Sequence, residues 1–358
     1  MIQNGSWLLE ELRAENYDVG ISECYESCTF GMFEAIGIKT KILTSAVPLP
    51  DGLAELFGIP MPRSYVPNVL GIIRKSSFVF INIPEILDQV KPISNKIVHI
   101  GGIALKKPKQ LDERLVKIFE NSQKGVVLFS FGSLANTDLM PEELKMAYLE
   151  AFSTFPEYEF IWKYHLRTND TLLFSKYPNV HPVEWVDQNS ILAQLKTKAF
   201  MTHCGLNSFI EGSFNGIPMI ATPLFGDQNY NAAIIQHKGT GIYLDLKKVT
   251  TMTVTNALKE VLESDRYYKS AQELKKKLST FPYKPNEKMI KFVEYAAENS
   301  IEDELNLPGA NMTFIEYFCL DILIPLFVLA LLFTYVVYRI LYRLITFALH
   351  SVVKTKAD

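Results

Sequence analysis

Between residues 125 and 244, short apolar runs alternate with segments of helical spacing, and this alternation limits what the chain can fold into. The runs are 125–130 (GVVLFS), 159–164 (EFIWKY), 180–186, 199–203 (AFMTH), 218–223 (PMIATP) and 241–244. A helix is expected to open at Pro141, because proline suits the first helical position. Others are expected over 190–196, 206–215 and 228–237. Strands and helices in this order build βαβ units and a parallel sheet, so the fold class is α/β. In such sheets ligands sit beyond the carboxyl ends of the strands. Three more helices, over 253–262, 267–278 and 287–299, follow from apolar residues at three- and four-residue spacing.

Upstream the pattern is less regular. Residues 8–13 read as a short helix, 17–22 (YDVGIS) as a buried strand and 27–36 as a helix. Residues 44–68 hold five prolines and read as loop. Residues 78–83 (FVFINI) and 97–100 read as strands. The polar stretch 106–110 (KKPKQ) marks the expected boundary between residues 1–105 and a second unit over 106–300.

The chain ends differently. Residues 322–338 (ILIPLFVLALLFTYVVY) carry no charge, and their flanks extend the run to about 20 apolar residues, enough to cross a bilayer. The expected order is a linker over 301–317, a transmembrane helix over 318–344 and a tail over 345–358. Arg339, Arg343, Lys354 and Lys356 follow the core of the run, while Asp303, Glu304, Glu316 and Asp321 precede it. The positive-inside rule then places the tail in the cytosol and the bulk of the chain across the membrane. Residues 1–20 contain no basic start, apolar core or small-residue cleavage site of a secretory leader. Asn4, Asn169 and Asn311 each open an Asn-x-Ser/Thr tripeptide.

Composition removes other classes. With 36 basic against 39 acidic residues the net charge is −3, which does not suit a nucleic-acid binder. At 48% hydrophobic residues the chain is not disordered, and four cysteines without zinc spacing make neither a disulfide scaffold nor a metal site.

The unusual residues cluster at the expected strand ends. Run 125–130 leads to Phe131-Gly132-Ser133, and run 199–203 ends in His203-Cys204-Gly205-Leu206-Asn207-Ser208. A glycine at a strand-to-helix turn lets backbone amides approach an anion, and the helix N-terminus adds partial positive charge. His203 can donate to the same anion. Asn207 and Ser208 can bind phosphate oxygens or simply cap the helix. Trp185 offers a flat surface for a base, although a core position would suit it as well. Gln188 offers a donor and an acceptor, and Glu211, one turn beyond Asn207, can accept from a ribose diol. Asp227 and Gln228 suit sugar hydroxyls, although Asp227 also fits an N-cap. Together these groups cover base, ribose, diphosphate and sugar.

The block from Trp185 to Gln228, with its WVDQ, THCGLNSFIEG, NGIPMI and PLFGDQ elements, resembles the UDP-glycosyltransferases of the animal UDP-glucuronosyltransferase type. The apolar tail and the KTKAD ending are similar to theirs. That ending, in the family, retrieves membrane proteins to the endoplasmic reticulum. The resemblance implies two Rossmann-like lobes (the GT-B architecture), with the donor held by the carboxyl-terminal lobe. It implies uracil at Trp185 and Gln188, ribose at Glu211, diphosphate at Ser133, His203, Gly205, Asn207 and Ser208, and sugar at Asp227 and Gln228. It implies a UDP-sugar donor, no metal or other cofactor, and a small lipophilic acceptor with a hydroxyl group. The bilayer, and related transferases in homo- or hetero-oligomers, are the other expected partners.

The family's general base is a histidine of the amino-terminal lobe, oriented by an aspartate. No histidine precedes His99, and Glu23 stands at the aspartate's place. Segment 64–68 (SYVPN) resembles a family segment but runs almost directly into sequence matching a region far downstream. The amino-terminal lobe is therefore expected to be incomplete. Two activities follow from the resemblance: inverting hexosyl or hexuronosyl transfer to the acceptor, or a catalytically silent relative that binds the donor or pairs with full-length transferases.

Overall fold

The structure is a computed structural model that describes residues 6–24, 26–49, 57, 71–133, 135, 137–167, 170–302 and 304–354. Segment 64–68, Asn4, Asn169 and the last four residues lie outside the described residues.

Two parallel sheets form the framework. The first comprises β1 (Val19–Glu23), β2 (Thr40–Ser45), β3 (Phe78–Ile81) and β4 (Ile97–His99), side by side in that order. The second comprises β5 (Gly125–Ser130), β6 (Tyr158–Lys163), β7 (Val180–Val183), β8 (Thr197–Thr202), β9 (Met219–Ala221) and β10 (Gly241–Tyr243). Its order is β10-β9-β8-β5-β6-β7, and every pairing is parallel. Chain order reverses between β5 and β8, which makes the gap beyond their carboxyl ends a ligand crevice. All six residues of β5 are buried, as a central strand covered on both faces requires.

Most expected elements are present with ends shifted by a residue or two. The 180–186 run stops being strand at Val183, so Trp185 lies in the following loop. β2 was not read in the sequence: residues 40–43 were left unassigned, and its last two residues open the stretch read as loop. The helix Glu113–Asn121, unread in the sequence, buries Leu115, Ile118 and Phe119 and is capped by Asp112, whose carboxylate accepts from the Leu115 N–H at 2.8 Å.

The helix Pro285–Glu298 does not stay with the second sheet. It lies on the first, where the Phe292 ring meets Phe78 edge-on at 4.8 Å and Thr40 donates to the Ala296 carbonyl at 3.2 Å. Ala296 is fully buried with Ile42, Phe80 and Val98. The unit expected over 106–300 therefore lends its last helix to the sheet of the unit expected over 1–105. Beyond it, Leu320–Lys354 is one helix, and within Leu320–Thr346 the most apolar stretch has a mean hydropathy of 2.5 and is not buried. Among the described residues this helix is long and apolar enough to span a membrane: 27 residues rise about 40 Å.

Candidate functional site

The crevice between β5 and β8 opens into a cleft of about 390 Å³. Its walls include Gly132, Ser133, Lys163, Trp185, Gln188, Asn207, Ser208 and Glu211, together with Ala104, Lys106 and Lys109 of the segment joining the two lobes. Six of the sequence-expected donor residues thus share one cavity.

The turn after β8 explains how. Cys204 is fully buried and holds a left-handed backbone, φ 64°, which a non-glycine residue adopts only at a cost. Its N–H donates to the Thr202 hydroxyl at 3.1 Å, and its carbonyl accepts from Asn231 Nδ2 at 3.0 Å. The chain then enters the helix Leu206–Asn215 through Gly205, with no side-chain cap on the first turn. His203 is packed between two glycines. A Cβ on Gly132 would stand 2.6 Å from the imidazole Cε1, and one on Gly205 would stand 2.6 Å from Nε2. Gly132 also has φ 78°, a second reason for glycine there.

Burial is the main cause that brings His203 down from 6.5 to about 4; Asp227 opposes the fall, as does a backbone hydrogen bond with Ser130, and Lys163 adds to it. The imidazole is therefore neutral at physiological pH. An anion beside it would favour the protonated ring, so anion binding should draw in a proton below neutrality. The expected result is that a UDP-sugar binds more tightly as pH falls from 7 to 5, and that this slope disappears in His203→Gln. Calorimetric titrations in two buffers of different ionisation enthalpy measure it. Stability runs the other way. The unfolded chain takes up this proton first, so stability is lost as pH falls from 6.5 toward 4.

Gln188 donates through Nε2 to Ser208 Oγ at 3.1 Å and to the Glu211 carboxylate. Burial raises the Glu211 pKa; the bond from Gln188 lowers it, and the charge of Asp187 raises it further. Trp185 is 72% exposed, which answers the choice between core and platform in favour of the surface. Asp227 occupies an N-cap position, but its side chain does not cap; it accepts from Asn231 Nδ2 at 2.7 Å. Gln228 is buried, and its Oε1 accepts from the N–H groups of Leu224 and Phe225 at 2.7 and 3.0 Å. It shapes the turn that presents Asp227. Neither lines this cleft, although Asp227 influences His203 electrostatically.

Glu23 ends β1 at the carboxyl edge of the first sheet. Its carboxylate accepts from the Ala46 N–H at 3.1 and 3.2 Å, from the Thr44 hydroxyl at 3.3 Å and from the Cys24 thiol at 3.1 Å. These bonds tie the ends of β1 and β2 together.

Lys163 was missed in the sequence. Its ammonium donates to the Gly132 carbonyl at 2.9 Å and stands 4.3 Å from the centre of the Trp185 ring, and burial lowers its pKa. The signal was available, since Lys163 is the last residue of a strand next to β5. Among the described residues no group of three His, Cys, Asp or Glu side chains could hold a metal.

Comparison with known proteins adds the following. Residues 72–357 match the family model described as UDP-glucoronosyl and UDP-glucosyl transferase. The chain is 29% identical to ugt-48 of Caenorhabditis elegans, provisionally named a UDP-glucuronosyltransferase, over 88% of this chain and 70% of that one. It is 26% identical to UDP-glucuronosyltransferase 1A5 of Rattus norvegicus over 95% and 71%. Among solved structures, a UDP-glucose:anthocyanidin 3-O-glucosyltransferase in complex with UDP superposes with a TM-score of 0.62 at 18% identity, covering 78% of this chain and 76% of that one. This last likeness concerns the fold, which is the two-lobed GT-B architecture. The family match extends over most of the chain, from β3 to the tail, and includes the whole cleft: the chain belongs to the UDP-glucuronosyl and UDP-glucosyl transferase family.

Proposed function

We propose that the cleft holds a UDP-sugar and that the protein transfers its hexose or hexuronate, with inversion, to a hydroxyl of a small lipophilic acceptor. One observation carries this reading. Trp185, Gln188, Glu211, Ser208, Asn207 and Ser133 line a single cavity at the reversal point of the second sheet. In it, uracil stacks on Trp185 and is held by Gln188. Glu211 takes the ribose hydroxyls. Ser133, Asn207, Ser208 and the amides after Gly205 take the diphosphate, with neutral His203 donating. Asp227, held by Asn231, faces the sugar, and Gln228 supports its turn. Lys163 balances the charge that accumulates on the diphosphate as the sugar leaves.

The donor lobe then corresponds to 106–300 and the acceptor lobe to 1–105, with a linker over 301–317, a membrane helix over 318–344 and a tail over 345–358. The apolar helix supports a single-pass anchor. The charges around it support a cytosolic tail and a lumenal catalytic part, in the endoplasmic reticulum if the KTKAD ending acts as its family likeness implies. Conjugation of lipophilic foreign compounds fits that setting.

A second reading, donor binding without transfer, is favoured by the histidines. The first in the sequence, His99, is buried with its Nδ1 3.0 Å from the Ile83 carbonyl. Glu23 would then be structural. The test uses the full chain in detergent with UDP-glucuronate or UDP-glucose and a panel of phenols. Binding is followed by calorimetry and conjugates by mass spectrometry. Conjugate formation supports transfer, binding alone supports the silent form, and absence of donor binding overturns both.

A further inference from the structure

Side-chain hydrogen bonds join the two lobes. Tyr230 of the second lobe donates to Asp88 of the first and accepts from the Gln89 N–H at 3.1 Å. A second contact across the lobes starts at Asn82 and reaches Asn207 in the wall of the cleft. Asn82 follows β3 directly, and its backbone N–H donates to the Ser45 carbonyl at 3.0 Å, so its position is fixed by the first sheet. Its side chain crosses to the other lobe, where Nδ2 donates to Asn207 Oδ1 at 3.4 Å. Its own Oδ1 is buried and is not the end that meets Asn207, so Asn82 presents only its NH₂ across the gap.

This contact has a chemical consequence. A carboxamide has two ends of nearly equal shape and opposite hydrogen-bonding character. Beside a diphosphate only the NH₂ end is useful, and the oxygen end repels. Asn207 is exposed on the uncapped first turn of its helix, so its own lobe provides no evident means of selecting one orientation. A donor placed on Asn207 Oδ1 makes the selection. It engages the oxygen and leaves Nδ2 for the cleft. Because that donor belongs to the opposite lobe, the selection operates only while the lobes are together. A separation of 3.4 Å is near the long limit of a hydrogen bond, so a small opening would release it.

Resting on the donor reading above, we propose that Asn82 is a positioning residue for the donor: from the amino-terminal lobe it fixes the carboxamide of Asn207 with its NH₂ toward the diphosphate, and so makes donor affinity depend on lobe closure.

The test is a double-mutant cycle on the full chain in detergent, with UDP as the probe and calorimetry as the readout. Asn207→Ala is expected to weaken UDP about tenfold and Asn82→Ala about three- to fivefold. Asn82→Asp should weaken it more than Asn82→Ala, since a carboxylate cannot donate and adds negative charge. The Asn82→Ala/Asn207→Ala double variant should bind no worse than Asn207→Ala alone. A purely structural role for Asn82 would instead make the two losses multiply. Thermal melts should be nearly unchanged, because the Asn82 side chain gives up only one long hydrogen bond. Unchanged UDP affinity in Asn82→Ala and Asn82→Asp, or multiplying losses, overturns this inference alone. Unchanged affinity in Asn207→Ala overturns it together with the diphosphate placement on which it rests.

Discussion

Replacing Trp185 with alanine is expected to raise the dissociation constant for a UDP-sugar by about five- to a hundredfold, because a base stacked on an aromatic ring gains about 1–3 kcal/mol. The ring suits this role because it does little for the fold. It is 72% exposed, in the loop after β7, with Lys163 as its charged neighbour at 4.3 Å. Truncation should therefore leave thermal stability within about 0.5 kcal/mol of the parent, as for ordinary surface changes. Trp185→Phe should recover most of the binding, since a smaller π-face remains. Titration calorimetry separates these outcomes. Equal affinity in the alanine variant would remove the uracil from this ring.

The second large effect concerns stability. Asp170→Ala is expected to cost about 3–5 kcal/mol, the range for removing one partner of a buried ion pair. Asp170 accepts from Lys145 Nζ at 2.7 Å, from the Tyr164 hydroxyl at 3.0 Å and from the Arg167 N–H at 3.2 Å. Side-chain exposures of 6% for Lys145 and 8% for Asp170 mean that little water would replace the lost partner. Burial opposes the charge on both groups, but these bonds outweigh it. They hold Asp170 below its ordinary pKa and Lys145 above its own. Asp170 therefore stabilises the fold above the ordinary aspartate range, and that contribution is lost as pH falls through its lowered value. A thermal melt should show the midpoint falling by about 5–15 °C. Exchanging both partners for apolar residues, Lys145→Met with Asp170→Leu, should recover much of the loss, because no unpaired charge stays buried. A variant with only Asp170→Ala that melts like the parent would show the pair to be energetically idle.

The sequence revealed the second sheet more fully than the first, for a physical reason. β5, β6 and β8 are mostly buried, and each carries a run of at least three apolar residues: VVLF, FIW and AFM. β2 (TKILTS) has only two strongly apolar residues, Ile42 and Leu43, before the chain turns into a proline-rich stretch, so no apolar run marked it. The helix Pro285–Glu298 has a legible apolar face, but amphipathicity does not say which sheet covers that face. Only tertiary packing put Ala296 and Phe292 against β2 and β3.

The site was legible to a similar degree. Strand ends followed by glycine marked Ser133, His203 and Asn207, and motif order added Trp185, Gln188 and Glu211. Spacing gave no warning that Gln228 would spend its oxygen on its own turn. Nor could it show that Asn82, distant in the chain, would reach Asn207 from the other lobe. Both facts depend on where the backbone brings the groups.

The central claim is that the block from Trp185 to Gln228 forms one receptacle for a UDP-sugar. It is tested most directly by determining the structure of the full chain with UDP bound. The expected density places the uracil ring against Trp185, the ribose hydroxyls on Glu211 and the diphosphate between Ser133, His203 and the amides following Gly205. Density for UDP elsewhere on the protein, with this cleft holding only solvent, would contradict the account.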